Sequence, residues 1–184
     1  MRLLPARSGW TVGDRGMEVR FPAGSRSQWR DKQLEVVHEI AWLPEKQSII
    51  SSITLTNLSD RAIYVPHPLV MPLANGSDKN NLKVVDDRNR ELPMKGLHSI
   101  FMTDPEGREI RPYVRIEPGA KMTSSFDLKD HFEGIDATKK IRVHLSYTSA
   151  RKQTYVVDDA RNITKTECWY GEAKINPIEI EVIR

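Results

Sequence analysis

Cysteine is nearly absent: one, Cys168, stands among 184 residues. A single thiol closes no internal disulfide, so the chain is not a cross-linked scaffold, and no redox compartment follows from it. Beside Trp169, a buried packing role is expected for that thiol rather than a nucleophilic one. Neither sign of charge prevails. Lys and Arg number 28 against 25 Asp and Glu, a net charge of +3. The signs also mix along the chain, as in Lys83-Val84-Val85-Asp86-Asp87-Arg88. Such mixing describes a solvated surface and argues against a nucleic-acid partner. No apolar run approaches the ~18 residues of a spanning helix, so no membrane span is expected. Met1-Arg2-Leu3-Leu4-Pro5-Ala6-Arg7 starts basic but lacks the apolar core, about seven residues at least, of an intact signal peptide. A periplasmic or secreted location is expected if a leader has been trimmed, and a cytoplasmic one otherwise. Three glycosylation triplets, at Asn57, Asn75 and Asn162, are too common by chance to decide between them.

Catalytic motifs are missing as well. There is no Gly-rich phosphate loop, Gly-x-Ser-x-Gly elbow or Ser-x-x-Lys. A zinc-protease helix needs two His four residues apart around a Glu, so that both imidazoles reach one ion. His38-Glu39-Ile40-Ala41-Trp42 supplies the first two residues, but Trp42 stands in the second His position. The segment also alternates as a strand, which would hold positions 38 and 42 about 13 Å apart. His67, His98, His131 and His144 are isolated in sequence and read as surface or core imidazoles. Asp86-Asp87, Asp158-Asp159 and Asp127 with Asp130 lack the Asp-x-Asp-x-Asp-Gly spacing of a calcium loop. No metal and no cofactor are expected.

What the chain does contain is period-two alternation broken by turns. Leu34, Val36, His38, Ile40 and Trp42 fall on one face of a strand, and Ile49, Ser51, Ile53 and Leu55 on one face of the next. Asn57-Leu58-Ser59-Asp60 is a turn whose side chains bond their own backbone. Tyr113 to Ile116, Lys121 to Leu128 and Ile141 to Tyr147 read as strands separated by Glu117-Pro118-Gly119 and Glu133-Gly134. Leu82 to Asp86, Gln153 to Val157 and Ile178 to Val182 read as further strands, and a polar loop is expected between Val157 and Cys168. Only Asp127 to Lys139 invites a helical turn. Residues 1–32 are expected to form an irregular arm with one short strand near Met17 to Phe21, and residues 33–184 an all-β, immunoglobulin-like antiparallel sandwich with long loops.

Two stretches carry a family resemblance. Ile53 to Val65, with its Asn57-x-Ser59-Asp60 turn, resembles the opening of bacterial immunoglobulin-like accessory domains. Ile116-Glu117-Pro118-Gly119, Thr123 to Leu128, the strand ending in Tyr147, and Trp169-Tyr170-Gly171-Glu172 resemble the N-terminal β-sandwich of deuterolysin-type zinc metallopeptidases. The resemblance implies an accessory module or pro-domain that is not itself the catalyst.

Three function classes remain. The first is a non-enzymatic module that binds another protein, as an accessory domain, inhibitor or immunity protein against an enzyme. Its contacts are expected on the loops Pro66 to Asn81 (with His67), Gly96 to Ser99, and Ala150-Arg151-Lys152, and on the arm aromatics Trp10 and Trp29. The second is a carbohydrate- or polyanion-binding module using exposed tryptophans or the face shared by Arg111, Tyr113 and Arg115. The third is an enzyme assembled from dispersed residues such as Asp130, His131 and Glu133. Oligomeric state is not legible from these patterns.

Overall fold

The structure is a computed structural model. It describes residues 11–12, 18–67, 81–95, 102–103, 109–110, 113–135, 139–149, 152–157 and 163–183. In chain order the strands are β1 (Thr11–Val12), β2 (Glu18–Arg20), β3 (Arg26–Arg30), β4 (Leu34–Leu43), β5 (Ser48–Asn57), β6 (Ile63–Pro66), β7 (Asn81–Asp86), β8 (Met102–Thr103), β9 (Glu109–Ile110), β10 (Tyr113–Ile116) and β11 (Lys121–Asp127). The short helix α1 (Leu128–His131) follows, then β12 (Lys140–Ser149), β13 (Gln153–Val157), β14 (Ile163–Glu167), β15 (Gly171–Lys174) and β16 (Ile178–Ile183). The fold is all-β, and every strand pairing is antiparallel.

Two larger sheets carry the core. One runs β11-β5-β4-β3; the other is centred on β12, with β7 on one side and β15 followed by β16 on the other, and β2 and β1 beyond β16. The alternation read in β4, β5 and β12 is the one observed: Leu34, Val36, His38, Ile40 and Trp42 are buried, as are Ile49, Ser51, Ile53 and Leu55, and Ile141, Val143, Leu145 and Tyr147. Both sheets contribute to a single apolar cluster, in which Ile53, Leu55, Ile116, Val143, Leu145 and Trp169 are fully buried and Val114 and Phe126 pack at the margin. His38 lies on a strand, as its alternation requires. The helical turn expected after Asp127 is α1, which the Asp127 carboxylate caps by accepting the Lys129 N–H at 2.9 Å.

Three features differ from the sequence reading. In its described part, the stretch 1–32 is not an irregular arm. β2 pairs with β16 and carries β1 on its other side, and β3 pairs with β4 over its whole length, so two strands are added to the β12 sheet and one to the β5 sheet. Arg26-Ser27-Gln28-Trp29-Arg30 hides this because its inward residues are a serine and a tryptophan between polar neighbours, too little contrast for a period to show. The expected loop before Cys168 contains β14, which forms a two-stranded ribbon with β13. Its Thr164, Lys165 and Glu167 are exposed, so no apolar face marks it. Cys168 itself is half-buried rather than in the core.

A bulge joins β15 to β16. Ser146 is paired with Lys174 and Val143 with Ile178, so Ile175, Asn176 and Pro177 face only His144 and Leu145. Pro177 has no N–H to give a ladder, and a bulge is where a strand tolerates that.

Candidate functional site

Trp169 sets the geometry of the end of the molecule where β4, β6 and β13 begin. Its indole is 2% exposed. It stacks near Tyr147, with ring centroids 5.8 Å apart, and meets Trp29 edge-on at 5.9 Å. The indole N–H donates to Asp31 Oδ2 at 3.0 Å. The other oxygen of Asp31 accepts the N–H groups of Gln33 and Leu34 at 2.7 Å each. The Tyr147 hydroxyl donates to the Pro66 carbonyl at 2.5 Å, and burial holds its pKa well above the ordinary tyrosine value. A Cβ on Gly171 would lie 2.8 Å from the Trp169 ring, so only glycine fits beside it without a shift.

With Trp169 pegged inward, the alternating neighbours Cys168 and Tyr170 turn outward. Backbone bonds fix the segment on both sides: Cys168 N–H donates to Lys152 O at 3.0 Å and Trp169 N–H to Tyr64 O at 2.8 Å. The result is an open cleft of about 600 Å³ lined by Gln33, Arg61, Lys152, Gln153, Glu167, Cys168 and Tyr170. Tyr170 is 56% exposed, the more exposed of two large apolar side chains at the described surface. The Lys152 ammonium sits 5.5 Å from its ring centroid, a cation–π distance. Among the described residues, neither the Lys152 nor the Arg61 side chain has an ion-pair partner.

Arg61 is delivered by a rigid turn. Asn57 is fully buried, donates to Arg61 O at 2.7 Å and Ile116 O at 2.9 Å, and accepts from the Ser59 N–H and hydroxyl. This is the self-bonding turn expected from Asn57 to Asp60, and it leaves the Asn57 amide inaccessible to a glycosylating enzyme in the folded chain.

Of the binding residues expected from sequence that lie among the described residues, Lys152 alone lines this cleft. Trp29 is half-buried against Trp169, and Phe21 packs on the core, so these two aromatics are used within the body of the protein. His67 is half-buried, and burial lowers its pKa. Tyr113 is half-buried with its hydroxyl 3.4 Å from Ser149 Oγ, and Arg115 is paired with Glu117 at 2.7 Å. Trp10, Arg111, Arg151 and the loop Gly96 to Ser99 lie outside the described residues, as does most of the loop from Pro66 to Asn81.

Of the dispersed enzyme set, His131 Nδ1 bonds its own backbone neighbour Asp127 O at 2.9 Å, and Asp130 and Glu133 are exposed. Among the described residues no three His, Cys, Asp or Glu side chains are placed to hold a metal ion, and no helix is long and apolar enough to cross a membrane. Sequence reasoning missed Arg61, Gln33, Glu167 and Tyr170. The one available signal was that Tyr170 follows Trp169, a residue destined for the core. Comparison with protein-family models, with characterised proteins and with solved structures finds no match.

Proposed function

We propose that this chain is a non-enzymatic, immunoglobulin-like β-sandwich module that binds another protein through the end of the sheets bearing Lys152 and Tyr170. The carrying observation is the exposed Tyr170 with Lys152 over its ring, beside Arg61, in an open cleft held by buried turns. Aromatic and Arg side chains on a rigid base are the groups that concentrate binding energy at protein interfaces. The two cations of the cleft suit an acidic segment of the partner, with Glu167 to reject the wrong register. An accessory, inhibitory or immunity-type role against an enzyme is the form of this reading that the resemblance to metallopeptidase pro-domains suggests. The polyanion alternative has less support, because Arg115 is neutralised by Glu117 and Tyr113 is half-buried.

The test is affinity capture from the native host with the intact chain and with a Lys152→Glu/Tyr170→Ala double variant. A protein retained by the former and lost by the latter, with both baits melting at the same temperature, supports the proposal. Retention of the same proteins by both baits overturns the assignment of the cleft. Turnover of a peptide, ester or glycan by the purified chain, abolished by one point substitution, overturns the non-enzymatic reading.

A further inference from the structure

Among the described residues, β11 is the longest strand at the margin of a large sheet with no chain along its outer side. The margins at β7 and β3 are managed. The outer side of β7 is covered by the chain's own return: Leu92 N–H donates to Val84 O at 2.8 Å, Asp86 N–H to Arg90 O at 2.9 Å, and Val85 bridges Glu91. β3 carries Arg26 and Arg30 at its two ends. An antiparallel copy centred on Gln28 would set those arginines against each other, which is destabilising. β11 has neither protection. It has no proline and no bulge within its seven residues, and such an edge is a template for another strand.

The phase of the ladder says which groups are offered. Asn57 N–H donates to Ala120 O at 3.1 Å, and β11 pairs with β5 so that Met122 faces Leu55 and Ser124 faces Ile53. Antiparallel ladders alternate, so Met122, Ser124 and Phe126 direct their backbone groups to β5. Lys121, Thr123, Ser125 and Asp127 direct theirs outward.

We propose that a second copy of this chain occupies the edge, β11 against β11 in antiparallel, with the two-fold axis at Ser124. In that register every outward-directed residue meets another: Lys121 faces Asp127 of the copy, and Thr123 faces Ser125. The charges are complementary on the exposed face. The Lys121 ammonium has no ion-pair partner among the described residues, while Asp127 Oδ1 is engaged by the N–H groups of Ile49 and Lys129 and its Oδ2 has none. On the inner face Met122 meets Phe126, two partly buried apolar side chains at the rim of the core. Ser124 meets itself, and its hydroxyl is buried without a hydrogen-bond partner within the chain's described residues. An isologous contact of this kind closes as a dimer rather than growing into a fibre.

Sedimentation velocity from low to high micromolar chain is the test. A monomer–dimer equilibrium in that range is expected, and Lys121→Asp, which sets two acids against each other, should weaken it by about tenfold or more. Register is read by cross-linking in a Cys168→Ser background. Ser124→Cys lies at a close, non-hydrogen-bonded pair on the axis and should give a disulfide-linked dimer on mild oxidation, whereas Thr123→Cys should not. Wild-type chain that stays monomeric throughout overturns the proposal and leaves the edge to a strand from a different protein. A dimer that Lys121→Asp leaves unchanged, or that cross-links as well through Thr123→Cys, overturns the register. Because the Lys152–Tyr170 cleft plays no part, failure here leaves the proposed function standing.

Discussion

Along β12 the inward positions run Ile141, Val143, Leu145, Tyr147 and Ser149; along β5, in the other sheet, they run Ile49, Ser51, Ile53, Leu55 and Asn57. The difference extends to the neighbours. β7 and β16 add Leu82, Val84, Ile178, Ile180 and Val182 to the β12 sheet, and the buried polar groups on these strands have partners: the Tyr147 hydroxyl donates to Pro66 O, Ser149 Oγ lies 3.4 Å from the Tyr113 hydroxyl, and the Asp86 carboxylate accepts from the Arg88 and Arg90 N–H groups and pairs with the Arg90 guanidinium. β3, β4 and β11 add Ser27, His38 and Ser124 to the other sheet, each buried. His38 is fully enclosed. Its Nε2 lies 2.9 Å from Ser51 Oγ, its Nδ1 has no partner among the described residues, and Ser27 and Ile53 flank it across the strands. One sheet therefore combines apolar burial with polar groups that have partners. The other has polar groups inside it whose worth depends on pH and on partners.

The largest expected effect breaks the apolar sheet. Val143 is fully buried at the centre of β12, between Val84 and Ile178. Val143→Asp places a carboxylate where nothing can pair with it, costing several kcal/mol against a domain stability on the order of 10 kcal/mol. The variant should fail to fold. A cooperatively melting Val143→Asp chain in circular dichroism would show that this face is not the closed one described.

Next comes pH. Burial pushes the His38 pKa from 6.5 down to about 4. Between those values the unfolded chain binds the proton that the folded chain refuses, so stability rises with pH across the window. The contribution is fully present above pH ~6.5 and about 3 kcal/mol is lost by pH ~4. Urea unfolding at stepped pH should show this loss in the native chain, and His38→Leu should remove most of the slope. Parallel curves for the two proteins would mean that His38 is hydrated or paired in solution.

Much of this was legible beforehand, and the reason is local. In β4, β5 and β12 each strand is half-buried over ten residues, so apolar and polar residues alternate long enough to be read. The same alternation placed His38 on a strand and excluded the zinc-helix geometry. β3 and β14 escaped because neither has an apolar face long enough to alternate: β3 turns in only Ser27 and Trp29, and Thr164, Lys165 and Glu167 of β14 are exposed. The cleft escaped for a related reason. Gln33, Arg61, Lys152 and the Glu167–Tyr170 segment are far apart in sequence, and the packing of Trp169 against Trp29 and Tyr147, with the backbone bonds to Lys152 and Tyr64, brings them to one end. Lys152 was picked for its position in a basic loop, which said nothing of Tyr170 beneath it.

A smaller effect tests a polar group that is fully satisfied. Asn57 sits at the end of β5 and bonds two carbonyls and Ser59. Asn57→Ala leaves the carbonyls of Arg61 and Ile116 without these donors, at a cost of about 2 kcal/mol. Because the same turn carries Arg61, partner binding at the cleft should weaken along with the melting temperature. Loss of stability with binding intact would separate Arg61 from the interface.

The smallest effect should have the opposite sign. Ser124 is 4% exposed and its hydroxyl is buried without a partner within the chain's described residues, unlike the Ser51 hydroxyl beside His38. An unsatisfied buried hydroxyl costs free energy in the folded state that the unfolded chain, with its hydroxyl in water, does not incur. Ser124→Ala removes that cost and leaves only a small void, since a single oxygen is lost. At chain concentrations low enough for the monomer, unfolding should therefore become harder, by up to about 1 kcal/mol. The comparison between the sheets turns on this sign. A gain shows that the inner face of the β5 sheet carries polar groups at a cost within the single chain. A loss of about 1 kcal/mol or more would mean that the Ser124 hydroxyl has a partner in solution, and that this face is as well satisfied as the one built around β12.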